Sequence, residues 1–429
     1  MGSDPPPGVT PYTRLVLAAL VLAALFAYAR MWGRCVEAAG VDFYQFWVTG
    51  RAARLGPGID PYTPEGRRAI PAAGLAGARY SPDLAAAAAY RRELETYSSP
   101  LLYALVGAAS TTRYDRDRLA FEAASMAGLV GGLLLLGHAL RLGWVARLGL
   151  LVFVLEWNEP VFADAGVGNV NRLQLALIAL GFVLARTASP ARAALVGALW
   201  TAATLLKPNL ALLPLWLGVL FAVRRRWHEL FLAGAGAAAA GVVCVILAAG
   251  GGFPWARWEE WLRAAAAMPE GIIPLDLGNL SLARALRLST GIEMAVPAVL
   301  ALSVLLAVVL RRRGPVPGEE HLVLALGALA YLLVARLVWI HYFVLALPAA
   351  CACLRPGSRS AAAGTAVLAL GCFAVRPVFT VLGRVDLTLE FVLMNAGALG
   401  LFAATLAELA LPRGAGRRAS IGTPIEASA

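Results

Sequence analysis

Long apolar stretches, separated by short polar connections, follow one another along the chain from Thr13 to Leu411. Many of them approach the roughly 20 residues that a helix needs to cross a bilayer. Leu101–Ala109 is too short to span and is predicted to be re-entrant or interfacial; counting it as a span would give 13 crossings. The favoured prediction is an all-α polytopic membrane protein with about 12 crossings, at residues 13–31, 119–140, 146–157, 171–186, 192–206, 209–223, 228–250, 292–310, 321–337, 340–354, 360–376 and 387–411.

Arginines in the short connections predict which ends of these helices share a side. Every second connection is arginine-rich, as is typical of cytoplasmic loops: 141–147, 186–192, 224–226, 311–313, 355–359 and the tail after Arg413. The intervening connections are poor in arginine and rich in other polar residues: 157–171, 207–209, 251–290, 336–341 and 376–386. We therefore expect both termini in the cytoplasm and the second group of connections outside.

The first outside loop, residues 37–97, combines turn signals with amphipathic stretches. Phe43–Leu55 places aromatic residues on one helical face and arginines opposite, which predicts a helix lying at the membrane interface. Pro82–Leu94 is predicted to be a second such helix. Asp42 precedes the first one, and its position fits either a helix N-cap or a carboxylate that faces a cavity, two roles that are compatible.

Composition and charge narrow the class of protein. Only 15% of the 429 residues are charged, against about 25% in soluble domains, so one membrane domain is expected over 13–411. The ends, 1–12 and 412–429, are expected to be disordered. Nucleic-acid binding is not expected despite the net charge of +11, because the arginines are scattered between apolar spans. The five cysteines lack zinc-ligand spacing and are interpreted as core residues.

Six short motifs, in order along the chain, resemble those of glycosyltransferase family 87, whose members are GT-C-type membrane enzymes. They are Asp42-Phe43-x-x-Phe46-Trp47-x-x-Gly50-Arg51-Ala52 with Asp60-Pro61-Tyr62, then Tyr97-Ser98-Ser99-Pro100-Leu101, Gly168-Asn169-Val170-Asn171, Lys207-Pro208, Asn279-Leu280-Ser281-Leu282 and Trp339-Ile340-His341-Tyr342. Ser98, Ser99 and Asn169 depart from the family pattern. The resemblance implies a GT-C-type helix bundle of a bacterial cytoplasmic membrane. It also implies transfer of a sugar, mannose in many members, from a polyprenyl phosphate to a hydroxyl of a glycan or glycolipid acceptor.

The resemblance also suggests roles for individual residues. Asp42 corresponds to the family's loop carboxylate and is expected to be the general base. Candidate ligands of the donor phosphate are Lys207, His341, Arg336 and Arg376. Candidate sugar or acceptor ligands are Asn169, Asn171, Tyr44, Trp47, Asn279 and Ser281. No cofactor is expected, and no paired-carboxylate spacing supports a metal, although Asp164 near Glu159 offers a second acidic group.

Several of these side chains also have structural interpretations. Lys207 is the sole lysine among 37 basic residues; at a helix end it either binds phosphate or extends to the interface. His341 fits a structural histidine equally well, and Asn169 and Asn171 could cap a helix. Trp255, Trp258 and Trp261 fit an interface belt or a sugar platform. Rival functions are a transporter or lipid flippase, another membrane transferase such as an acyltransferase or O-antigen ligase, and a scaffold.

Overall fold

A computed structural model describes residues 10–56, 58–91, 94–185, 189–267 and 278–411. Residues 1–9 and 412–429 of the ends predicted to be disordered lie outside these ranges, as does residue 186 of the predicted helix 171–186. Pro11 and Tyr12, which the sequence assigned to the disordered N-terminal end, belong to the first helix. Every regular element in the described ranges is helical. The α-helices are α1 Pro11–Glu37, α2 Val41–Leu55, α3 Pro64–Leu75, α4 Pro82–Tyr90, α5 Pro100–Ala109, α6 Tyr114–Ala139, α7 Trp144–Glu156, α8 Glu159–Val167, α9 Asn171–Ala185, α10 Pro190–Leu206, α11 Leu212–Val223, α12 Trp227–Gly250, α13 Trp255–Ala266, α14 Leu282–Thr290, α15 Ala295–Arg312, α16 Glu319–Val334, α17 Leu347–Cys353, α18 Ser360–Cys372, α19 Val375–Leu382 and α20 Leu387–Ala410.

The all-α membrane architecture is confirmed, whereas the number of crossings stays a prediction. Five described helices, α1, α6, α12, α15 and α20, are individually long and apolar enough to cross a bilayer, and α18 and α19, bent by 44°, together form a sixth candidate. The helices at the other predicted spans have 17 residues or fewer, below the roughly 20 that a crossing usually needs. The predicted helix 340–354, for example, is divided into a 3₁₀ segment, Ile340–Ala346, and the short helix α17 that follows it.

Small residues let the long helices approach one another closely. A Cβ added at Gly197 of α10 would stand 1.9 Å from the carbonyl oxygen of Ala233 in α12, and one added at Gly236 would stand 2.0 Å from that of Ala194. Close backbone approach through small residues is the usual device for packing helices in lipid, where the hydrophobic effect supplies little drive for association. The α10–α12 pair is therefore fixed by backbone contact.

Ser-Pro and Thr-Pro pairs fix the starts of several helices in the first loop. The hydroxyls of Thr63, Ser81 and Ser99 accept hydrogen bonds from backbone N–H groups of α3, α4 and α5, and the following proline occupies the first turn. This combination satisfies an otherwise unpaired donor and presets the backbone for the helix. Helix α3, which the turn signals of the sequence did not predict, starts in this way.

Helix α2, which the sequence predicted as a half-exposed helix at the membrane interface, is enclosed by other segments of the protein. Twelve of its fifteen residues are buried, and Gly50 lies against Gly107 of α5, where a Cβ would stand 2.6 Å from the Gly107 nitrogen. Arg51, which suggested a polar face, is buried and donates to the carbonyl oxygens of Gly74, Ala76 and Thr111. Backbone carbonyl oxygens can accept all the hydrogen bonds that a buried arginine donates. An arginine in an amphipathic pattern therefore does not show that its face of the helix is exposed.

Candidate active site

The start of α2 places the Asp42 carboxylate inside the protein. Gly40 occupies the N-cap position with φ of +67°, and no side chain caps the helix, so the N-cap interpretation of Asp42 is wrong. Left-handed backbone favours glycine, and a Cβ on Gly40 would stand 2.9 Å from Cδ of Arg118. Asp42 therefore lies in the first turn of α2, where the helix dipole favours a negative charge.

Three polar side chains surround the Asp42 carboxylate. Nη2 of Arg91 donates to Oδ1 at 2.7 Å, and Nε2 of Gln45 lies 3.5 Å from the same oxygen. Nδ2 of Asn169 donates to Oδ2 at 2.7 Å. Arg91 also pairs with Glu95 at 3.2 Å, and burial raises the pKa of that carboxyl group. Both Asp42 oxygens are thus bound, one of them by a cation.

Asn169 connects Asp42 to Lys207. Its Oδ1 accepts a hydrogen bond from the Lys207 ammonium at 2.7 Å, while its Nδ2 faces Asp42 and lies 3.3 Å from Nε2 of His341. An ammonium can only donate and an ionised carboxylate can only accept, so the two partners together fix the orientation of the amide. The carboxylate and the ammonium are therefore separated by two hydrogen bonds and one amide group, on the order of 7 Å.

Lys207 lies in the break between α10 and the 3₁₀ turn Pro208–Leu210. Its ammonium also donates to Oδ1 of Asn171 at 3.0 Å and stands 4.3 Å from the centre of the Tyr342 ring. Burial lowers the pKa of Lys207 to about 8. Within the described ranges it has no carboxylate partner within 4.0 Å, so amide oxygens and an aromatic ring hold this buried cation.

Buried ion pairs hold the side chain of Asn171 in place. Asp164 accepts from Nδ2 of Asn171 at 2.8 Å and from Nε of Arg172 at 2.8 Å, and Arg172 also pairs with Glu122 at 2.7 Å. Both oxygens of Asp164 are engaged by these donors. No group of three or more histidine, cysteine or carboxylate side chains is arranged to hold a metal ion within the described ranges.

The structure brings five of the predicted site residues together and leaves the other six elsewhere. Asp42, Asn169, Asn171, Lys207 and His341 form one hydrogen-bonded group, called the Asp42–Lys207 cluster below, with His341 reached through Asn169.

Two predicted phosphate ligands are engaged at other places. Arg336 lies 3.5 Å from Glu293, and Arg376 pairs with Glu159 at 2.8 Å while its guanidinium stacks 3.5 Å from the Phe162 ring centre. Neither arginine contacts the Asp42–Lys207 cluster within hydrogen-bonding distance. Both remain candidates only if they move towards a bound ligand.

The remaining predicted sugar ligands have internal contacts. Tyr44 and Trp47 are enclosed, with their rings against Tyr114, and the Trp47 N–H donates to Asp117. Asn279 and Ser281 bind the backbone of 335–338, and Ser281 caps α14. These contacts make the four side chains parts of the framework in this structure.

Two arginines of the site were missed by the sequence reasoning. Arg172 lies within a predicted span, where a charged residue is by default a functional or structural hypothesis, so its position was a usable signal. Arg91 lies in a loop with several other arginines, and nothing in the sequence distinguishes it from them. Only the folded loop shows that Arg91 reaches Asp42.

The family model of Glycosyltransferase family 87 matches residues 96–335, more than half of the chain. The chain belongs to glycosyltransferase family 87. Membership makes it a transferase enzyme, and its apolar helices make it a membrane protein. The matched range includes Asn169 and Lys207, whereas Asp42 and His341 lie outside it. No curated protein and no solved structure matches the chain.

Proposed function

We propose that this family 87 enzyme transfers a sugar, with mannose as the expected one, from a polyprenyl phosphate to an acceptor hydroxyl with inversion at the anomeric carbon. The Asp42–Lys207 cluster is the proposed reaction centre, on the extracytoplasmic face of a bacterial cytoplasmic membrane crossed about 12 times. The acceptor is a glycan or glycolipid.

The proposal depends above all on how the buried Lys207 ammonium is held. A buried charge in a protein is normally paired with an opposite charge, yet this ammonium is held by two amide oxygens and a ring. Hydrogen bonds to neutral oxygens satisfy the ammonium's donors but leave its positive charge without a compensating negative one. An arriving lipid phosphate would supply the missing anion, and the compact ammonium suits it.

The opposite end of the cluster offers a base. As the acceptor oxygen attacks the anomeric carbon, its proton would pass to a carboxylate oxygen of Asp42. The bond between that carbon and the phosphate oxygen would break, and the electron pair would leave with the polyprenyl phosphate. Lys207 would then stabilise the charge that develops on the leaving phosphate.

Asn169 fits the role of a spacer between base and leaving group. Its amide binds both Asp42 and Lys207, so one side chain contacts both the proposed base and the proposed ligand of the leaving phosphate. Either polar atom could bind a sugar hydroxyl once the donor has displaced one of these partners. His341 stands beside it and offers one further hydrogen bond to the phosphate or sugar.

Arg91 is the most direct candidate for a second phosphate ligand. Its guanidinium is shared between Asp42 and Glu95. If it turned to the phosphate, it would add positive charge there and release Oδ1 of Asp42 for the acceptor. The proposal thus assigns Arg91 the place that sequence reasoning gave to Arg336 and Arg376.

The test is an assay of the purified protein in lipid nanodiscs with radiolabelled polyprenyl-phosphate-mannose and candidate glycan and glycolipid acceptors. We expect label to move to an acceptor, and no transfer when the same sugar is supplied as a nucleotide sugar. Failure to transfer from polyprenyl phosphates carrying mannose, glucose or galactose would contradict the proposal. Movement of the intact lipid-linked sugar across the bilayer would favour a flippase instead.

A further inference from the structure

A groove separate from the Asp42–Lys207 cluster opens where the first loop meets the connection after α12. It has a volume of about 320 Å³ and lies between Tyr62 and the start of α3 on one side and α13 on the other. Tyr97 lines it from the segment that leads to α5. Two segments far apart in sequence therefore build one open site.

Polar and aromatic side chains dominate the groove. The guanidinium of Arg67 stacks 5.3 Å from the Tyr97 ring centre, and the Tyr62 hydroxyl donates to the carbonyl oxygen of Ser98. Glu260 and Arg263 project from α13 on the opposite wall. Ligand sites commonly combine aromatic faces with a few placed polar groups, and a sugar ring offers matching apolar faces and hydroxyl edges.

Arg67 has unused hydrogen-bonding capacity. Its Nη2 donates to the carbonyl oxygen of Tyr62, its Nη1 is 3.5 Å from the Tyr97 hydroxyl, and its buried Nε has no hydrogen-bond partner among the described residues. In the part of the chain that the structure describes, no carboxylate pairs with this guanidinium. The contact of Nη1 with Tyr97 is long for a hydrogen bond, so Nη1 is the donor that a ligand hydroxyl in the groove could engage.

The walls of the groove are held in place by contacts between the two segments. Arg257 of α13 pairs with Asp60 at 2.8 Å and with Glu260 at 2.7 Å. Nε1 of Trp261 donates to the carbonyl oxygen of Tyr97 at 3.0 Å. Trp258 and Trp261 are buried and Trp255 is exposed, so the three tryptophans form neither an interface belt nor a sugar platform as a set.

One short segment connects the groove to the proposed reaction centre. The backbone N–H of Glu95 donates to Gln45 at 2.7 Å and its carboxylate pairs with Arg91, both of which bind Asp42. Tyr97 follows two residues later, which limits the distance between their Cα atoms to about 7 Å. A saccharide in the groove would therefore lie beside the segment that contacts Gln45 and Arg91, the two side chains that bind Oδ1 of Asp42.

We propose that this groove binds the saccharide chain of the acceptor, with Tyr97 and Arg67 as its principal contacts. The inference rests on the proposed function, in which the acceptor presents a hydroxyl to Asp42. The occupant is a neutral glycan segment that stacks on the tyrosine face and accepts hydrogen bonds from Arg67. The donor lipid phosphate occupies the Lys207 end and does not use the groove.

Binding is tested with radiolabelled linear trisaccharides of mannose, glucose and galactose by equilibrium dialysis of the purified full-length protein in nanodiscs. At least one trisaccharide is expected to bind, and Arg67→Ala and Tyr97→Ala are each expected to weaken it at least tenfold. Arg68→Ala, an exposed neighbour on the same helix that does not line the groove, is the matched control and should leave binding unchanged.

Kinetics separate this proposal from the proposed function. With an acceptor found in the transfer assay, Arg67→Ala should raise the acceptor KM at least tenfold and leave the donor KM within twofold, and Arg67→Lys should recover part of the loss. An unchanged acceptor KM in an active enzyme would overturn the groove proposal alone. Trisaccharide binding without any transfer would overturn the proposed function alone.

Two further outcomes would overturn the groove proposal. One is that none of the three trisaccharides binds the wild-type protein. The other is that vesicles containing anionic phospholipid compete for the groove, so that Arg67→Ala weakens vesicle binding and not trisaccharide binding. Thermal unfolding of each variant identifies misfolded protein, and Tyr97→Phe then serves as the milder replacement, with an intermediate loss of binding expected.

Discussion

The ionisation of Lys207 makes the donor step depend on pH in a direction that can be worked out. Burial lowers the pKa of Lys207 from 10.5 to about 8, so the ammonium is lost as the pH rises through about 8. If that ammonium binds the donor phosphate, kcat/KM for the donor should be constant below pH 8. Above it, kcat/KM should fall about tenfold per pH unit, to roughly 3% of the plateau at pH 9.5.

The free-energy cost of burying the Lys207 ammonium and the gain from pairing it with a phosphate are both consistent with this pH dependence. Holding the ammonium in its buried site, relative to water, costs about 3 kcal/mol. Because the unfolded protein binds this proton more tightly, the cost is present in full below pH 8 and disappears between pH 8 and 10.5. A phosphate that pairs with the ammonium recovers about 1.5–3 kcal/mol, the usual worth of a hydrogen bond to a charged group. Removing the charge should then raise the donor KM about 10- to 100-fold.

The assay compares the wild-type enzyme with two variants from pH 6.5 to 9.5. Lys207→Arg keeps its charge over this whole range because the guanidinium pKa exceeds 12, so its profile should lack the fall above pH 8. Lys207→Met should be weak at every pH. A wild-type profile that stays flat to pH 9.5, or an arginine variant with the same inflection, would refute the phosphate role of Lys207. Thermal unfolding at each pH checks that the proteins remain folded.

Three further predictions test the neighbouring contacts. Arg91→Gln should raise the donor KM about tenfold, whereas Arg376→Gln should leave it within twofold; equal effects would contradict the assignment. Asn169→Leu should lower kcat/KM about 100-fold, because two charged partners lose their shared amide; near-normal activity in a folded variant would show that the bridge is dispensable. Gly236→Ala should destabilise the protein by about 1–3 kcal/mol through its clash with Ala194, while Gly234→Ala, which meets nothing within 4 Å, should not; equal unfolding temperatures would contradict the close α10–α12 contact.

Apolar periodicity predicted most of the helices because each needs only a local pattern. The predicted ends lie within a few residues of the observed ones in cases such as α12, predicted as 228–250 and found as Trp227–Gly250. The environment of α2 could not be predicted in this way. Its burial depends on α3, α4 and α5 folding over it, and the arginine that suggested a polar face is satisfied by carbonyl oxygens from distant segments.

The candidate site was predictable to the extent that its residues lie in recognisable motifs. Asp42, Asn169, Lys207 and His341 were named from the sequence, and the structure places them in one hydrogen-bonded group. The role of Arg91 could not be foreseen, because its contact with Asp42 joins residues 49 positions apart and depends on how the segments of the first loop fold against one another. Tyr97 was part of a motif, but its groove forms only where the first loop meets α13, which lies far away in the sequence.

In the proposed reaction, Asp42 takes the proton of the acceptor hydroxyl at a site where Lys207 holds the lipid phosphate. The most direct measurement is single-turnover transfer of radiolabelled mannose from polyprenyl phosphate, with donor binding measured on the same samples. We expect the Asp42→Asn variant to bind the donor but to carry out the transfer step at least 100-fold more slowly, within the range known for general-base catalysis. Transfer by Asp42→Asn at the wild-type rate would contradict this role of Asp42.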